Sequence, residues 1–186
     1  MTLYELLLFV HILAAAIWFG SGFLLHVLAY RAKGDDASLE RLFHDTAALS
    51  TGLFIPSSLV VLVAGVLLVI DGPWSFDQLW IVLGLLGYAA TFATGVGILK
   101  PRSERIVEMM QRAGGMTPEA AVEIRRMLSL AKIDYITLML VIAVMALKPT
   151  GDDVVVLTVM ALVMVAGTAY FATRATARSP IGEAAG

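Results

Sequence analysis

Apolar residues fill five long runs of this chain, and charge, proline and glycine gather in the stretches between them. The first run extends from Leu3 to about Tyr30, and four more cover about Thr51–Ile70, Leu79–Leu99, Ile133–Leu147 and Val154–Thr173. Each is long enough to cross a hydrocarbon core of about 30 Å as a helix rising 1.5 Å per residue. The first is longer than needed, so it tilts or reaches into the headgroups. It lacks the basic flank and small-residue cleavage site of a signal peptide, and is expected to remain as a helix.

Between the runs the pattern changes. Thr117-Pro118-Glu119 reads as an N-cap with proline at the first helical position, so a helix starting there is expected to run through Arg125 and Arg126 straight into the fourth span. Arg102 to Gln111 reads as a short helix ended by Gly114-Gly115, and Ala37 to Leu49 as an interfacial helix. Residues 178–186 are small and polar, and are expected to form a disordered tail. There is no convincing internal repeat and no phosphate-binding glycine loop.

Composition agrees with this pattern. Of 186 residues 59% are hydrophobic and 15% charged, and the net charge of -2 gives no basic field for nucleic acid. Charge position is more informative than its sum. Twelve of the 13 basic residues, among them Arg31, Lys33, Arg41, Lys100, Arg102, Arg105, Arg112, Arg125, Arg126, Lys132, Arg174 and Arg178, fall in alternate loops; the other side has only Lys148. The positive-inside rule then predicts an outside N-terminus and a cytoplasmic C-terminus. Trp74, Phe76 and Trp80 fit an outer aromatic belt, with Tyr30, Tyr135, Tyr170 and Phe171 at the inner one. The expected architecture is an all-α integral membrane bundle of five transmembrane helices. Residues 1–177 form one domain, with a cytoplasmic helical hairpin at about 100–132.

With no cysteine, thiolate metal sites and disulfides are excluded, and a metal would need His, Met, carboxylate or backbone. His11, Ala15, Trp18, Gly22 and His26 recur at steps of four, three, four and four, which places them on one stripe of the first span. Two readings of the histidines stand side by side: neutral imidazole ligands to haem iron or copper, or hydrogen-bonded residues that lock helix packing. Fifteen residues of helix separate His11 from His26 by about 22 Å, so they cannot share one metal. Depth counting pairs His11 with Tyr88 as hydrogen-bond partners, and sets His26 level with Asp134, Ser57 and Ser58, with His44 in reach. Met139, Met145, Met160 and Met164 are candidate thioether ligands for copper, or ordinary apolar filler. Asp134 reads as a proton relay or, two residues after Lys132, as half of an interfacial salt bridge. Gly65, Gly167 and Pro56 have packing or kink explanations. Gly84, Gly87 and Thr91 make a small-residue face on the third span, for packing within the chain or against another copy or subunit.

The segment from His11 through Trp18, Phe19 and Gly20 to Tyr30-Arg31 resembles the first helix of a superfamily of small membrane proteins. This superfamily includes the oxygen-independent membrane protoporphyrinogen oxidase, the copper-resistance D membrane domain and a group of predicted bacterial integral membrane proteins without assigned function. Pro56 with Gly65, Trp74 to Trp80, and the Lys148-Pro149 ending fit the same pattern, the last pointing to the unassigned branch. The resemblance implies a bacterial inner membrane. In the oxidase branch it implies haem bound by the histidine at position 11 and a third-helix lysine; here the third span has no lysine before Lys100 and carries Leu83 and Tyr88-Ala89 in that region. Three functions follow as expectations. One is haem b binding or redox work through His11, with Trp18, Gly22, Tyr88 and His26 around the cofactor. The others are a non-catalytic partner subunit, and copper or small-solute transport.

Overall fold

The computed structural model describes residues 1–32 and 35–176, with the side chains of 47–51 and 174–176 left aside. Lys33, Arg178 and the 178–186 tail therefore lie outside the described residues. The described chain is helical throughout, with α1 (Leu3–Arg31), α2 (Asp36–Leu49), α3 (Ile55–Asp71), α4 (Leu79–Thr94), α5 (Lys100–Ala113), α6 (Pro118–Leu147) and α7 (Val154–Thr176). Two π-helical segments, Ser50–Phe54 and Gly95–Leu99, join α2 to α3 and α4 to α5. Five helices are long and apolar enough to span a membrane, as the hydropathy pattern predicts.

Local chemistry sets the helix ends. Thr2 and Glu5 form a capping box, Glu5 N–H donating to Thr2 Oγ1 at 3.2 Å and Thr2 N–H to Glu5 Oε2 at 2.8 Å. At α6, Ala120 N–H donates to Thr117 Oγ1 at 3.1 Å, and the helix continues for 30 residues into the membrane span, as its sequence indicates. Gly114 ends α5 at φ 74°, where a side chain would be strained. Before α7, Thr150 donates to Asp153 Oδ2 through both N–H and hydroxyl, which holds the Asp153 carboxyl below its usual value.

The third span differs from its expected form. Leu79–Ala113 is one continuous 35-residue helix that passes through the π-segment, and Lys100-Pro101 does not interrupt it. Proline lacks the N–H that would bond four residues back, so a widened turn ahead of it carries the chain past the gap. Pro56 follows the other π-segment in the same way, and there the hydroxyl of Ser57 donates to Leu53 and Phe54 carbonyls and that of Ser58 to the Ile55 carbonyl. Both serines are thereby spent on their own helix and do not serve His26.

The tightest packing lies at the basic end, beyond the apolar runs. Leu39 and Phe43 of α2, Ile106 and Met110 of α5, and Ala120, Ala121, Ile124 and Met127 of α6 form one core. Ala120 and Ala121 are fully enclosed, which lets α2 and α5 close in on the first half of α6. Arg125 pairs with Asp36 at 3.3 Å across α6 and α2, an exposed contact worth about 0–1 kcal/mol. The helix read as interfacial, α2, turns its apolar face into this core, while Leu42 packs with Leu25 and Ala32.

Within the apolar zone, α1 packs mainly on α3, whereas α4 and α7 both pack on α6. The small-residue face of α4 is filled from within the chain, Met145 seating on Gly84 and Val141 on Gly87, with Thr91 buried beside them. Of the two packings expected of this face, within the chain or against another subunit, the first is formed: lipid offers no hydrophobic drive between helices, so close contact at small residues holds the pair, and here α6 makes that contact. Gly167 of α7 is seated against Ile136 in the same manner.

Ile124→Ala should cost about 2–5 kcal/mol, as large-to-small changes do in a closed core. Gly84→Leu should be at least comparably harmful, because Met145 already occupies the space. Thermal unfolding followed by circular dichroism measures both; unchanged midpoints would contradict this packing.

Candidate functional site

The α1 stripe faces protein: Ala14, Gly22 and Leu25 are buried, and His11, Trp18 and His26 are half-buried. His11 Nδ1 lies 2.9 Å from the Val61 carbonyl of α3. A carbonyl only accepts, so Nδ1 carries the hydrogen and Nε2 keeps its lone pair. The ring rests on Gly65, one turn after Val61, where a Cβ would stand 3.0 Å from Cε1 and 3.3 Å from Nδ1. Gly65 is therefore the seat of His11. Nε2 makes no hydrogen bond to a described residue.

The expected His11–Tyr88 hydrogen bond is not formed. The Tyr88 ring meets Trp18 edge-on, with centroids 5.7 Å apart, and stacks on Phe92 at 6.1 Å. Trp18 is seven residues beyond His11, about 10 Å along the helix, so equal counted depth did not bring the two side chains together. The Tyr88 hydroxyl is buried without a partner. His11 is held by α3 and Trp18 by α4, while α3 and α4 scarcely touch. The part of α1 between them therefore passes from contact with α3 to contact with α4.

His26 occupies a different site. Its Nδ1 donates to its own helix at the Gly22 carbonyl, 2.7 Å away, and its Nε2 is buried without a hydrogen bond of good geometry. Ser57, Ser58 and Asp134 make no hydrogen bond with it. The neighbour is Tyr135, whose ring stands 4.8 Å from the imidazole and stacks on Phe19 at 5.1 Å. Between them Gly22 is a notch, where a Cβ would stand 3.0 Å from Tyr135 Cε2. Tyr135, read as a belt residue, is instead a knob set into α1 with its hydroxyl buried and unpaired. Its role could not be read from depth alone, although the glycine four residues before His26 marks where a ring can enter.

The other candidates stay apart. His44 is exposed on α2 beside Phe43. Met145 fills Gly84, Met139 is exposed, and Met164 accepts a weak 3.8 Å hydrogen bond from Thr137, so the thioethers do not converge on one copper site. Among the described residues no three His, Asp or Glu gather to hold a metal. At the end opposite the basic loops, Lys148 takes a left-handed cap at φ 46°, with its ammonium 4.0 Å from the Trp74 ring and 5.3 Å from that of Trp80. Trp74 Nε1 donates to Tyr4 at 3.1 Å, which links α1 to this cluster.

Gly22→Val should lower the unfolding midpoint by several degrees, since a 1–3 kcal/mol overpacking penalty shifts a chain of this size by about that much. Gly20→Val should leave it unchanged, because a Cβ there meets open space. Equal midpoints for the two variants would remove the notch.

No curated protein and no solved structure is significantly similar to this chain. A family model described as a predicted integral membrane protein matches residues 5–149, more than three quarters of the sequence. The match takes in the His11 seat, the Tyr135 notch and the Lys148 cap. The chain belongs to the DUF2269 family of predicted integral membrane proteins.

Proposed function

We propose that this protein sits in the bacterial inner membrane with its N-terminus outside and binds haem b through Nε2 of His11. One observation carries the reading: the Val61 carbonyl fixes the His11 tautomer at 2.9 Å, Gly65 seats the ring, and the outward nitrogen keeps its lone pair. A backbone acceptor behind a ligating imidazole is the usual arrangement, because it sets orientation and raises ligand basicity. Trp18 and Tyr88 lie about 10 Å farther along α1, between helices α3 and α4 that make little contact with each other. The unpaired Tyr88 hydroxyl is a donor toward a polar edge of a bound ring. Haem would supply an iron centre for electron transfer or ligand binding. The chain's part is to hold the imidazole neutral, orient it and exclude bulk water. His26 is the weaker ligand, because its Nε2 is closed off beneath Tyr135. Copper is disfavoured by the dispersed methionines.

Protein purified from haem-replete cells should show a Soret band that His11→Ala abolishes and His26→Ala retains. Gly65→Val, which pushes the ring off its seat, should lower haem occupancy several-fold. A colourless wild-type preparation would overturn the reading. For orientation, a cytoplasmic reporter should be active at the C-terminus and silent at the N-terminus; the opposite result would invert the topology.

A further inference from the structure

We propose that Asp134 is a proton-exchange site within the membrane, open to the side that carries the basic loops. The site is independent of haem. From Ile133 to Leu147, α6 holds no other charged residue. Asp134 is 14 positions from Lys148, or about 21 Å of helix, which leaves it roughly 9 Å inside a 30 Å hydrocarbon core on the basic side.

Helical register gives its surroundings. Asp134, Leu138, Val141 and Met145 recur at steps of four, three and four, and so form one line along α6. Met145 meets Gly84, Val141 meets Gly87, and Leu138 and Thr91 are both buried. Continued in the same antiparallel register, the line brings Asp134 level with Thr94 and Gly95, where the α-helix of α4 opens into the π-segment. A Cβ on Gly95 would meet no atom within 4 Å, so no side chain of a neighbouring helix fills that position as Met145 and Val141 fill Gly84 and Gly87.

No hydrogen bond or ion pair to Asp134 is formed among the described residues. The salt bridge expected with Lys132 is absent for a geometric reason. Residues two apart lie on opposite sides of a helix, and the Lys132 ammonium is over the Phe171 ring of α7, 5.6 Å from its centroid. The remaining ionisable groups near this level are His26 on α1, Tyr135 on α6 and Tyr170 on α7, the last of these one position from the residue that the Gly167–Ile136 and Lys132–Phe171 contacts set level with Asp134. Between Tyr88 and Lys100 the third span supplies none, and α7 none between Val154 and Tyr170.

A lone carboxylate in a low-dielectric zone costs several kcal/mol unless a proton or cation neutralises it. A metal cation would require several oxygen ligands, and no such cluster stands here among the described residues. The proton is therefore the fitting ligand. Hydronium on the basic side gives its proton to the carboxylate and leaves as water; release reverses the step. The His26 Nε2 and Tyr135 hydroxyl are buried without partners on the α1 side, one residue round α6 from Asp134.

Infrared spectroscopy of the full chain in lipid nanodiscs tests this. At neutral pH the wild type should show the carbonyl stretch of an undissociated carboxyl group, moved by deuterium oxide and converted reversibly to carboxylate in alkali. Asp134→Asn should lose the band while its circular dichroism is unchanged, and Asp134→Glu should keep a shifted one. A wild-type spectrum with no band that depends on residue 134 would overturn the proposal. Loss of the band on adding sodium would overturn it too, because the site would then take cations.

Discussion

A transmembrane helix gains almost nothing from apolar contact alone, since lipid tails serve as well as leucine. What holds this bundle together is fit at small residues, mostly against one helix, α6, while α3 packs on α1. Met145 and Val141 enter the glycines of α4, Ile136 enters that of α7, Tyr135 enters that of α1, and Ala120 and Ala121 admit α2 and α5. Each joint pairs a glycine or alanine with a larger group. Its 30 residues run unbroken from the three-helix core at the basic end to the Lys148 cap at the other, so both regions share one rod about 45 Å long.

The two intramembrane histidines show how a common first step leads to different chemistry. Both set Nδ1 against a backbone carbonyl. They differ in what lies beyond. His11 sits on a glycine and its Nε2 is not among the buried, unpartnered atoms, whereas His26 Nε2 is buried with a phenol ring against the imidazole. Ligand capacity follows from this second contact, which depends on lateral neighbours that α1 itself does not encode.

Much of the architecture was legible because it is local. Hydropathy marks five spans, Thr117-Pro118 marks the start of α6, and the step pattern from His11 to His26 marks the face of α1 turned to protein. Lateral pairing was not legible. Residue counting put Tyr88 at the depth of His11, but helix crossing set it against Trp18; the same counting made Tyr135 a belt residue when Gly22 receives it. Lys100-Pro101 reads as a helix boundary, and a π-turn absorbs it. Gly65 was legible as a packing glycine, six residues before Asp71 and so close to the depth of His11, but the side chain it receives was not, because an isolated glycine in a leucine-rich helix fits many partners.

The last helix differs from the others in how it is attached. Among the described elements α7 makes its contacts with α6, chiefly at Gly167, and it lies beyond the segment matched by the family model. An element held in a single groove places no demand on the shape of α1, α3 or α4. Its outer face lies away from the other described helices, so substitutions there ask no adjustment of the other four spans.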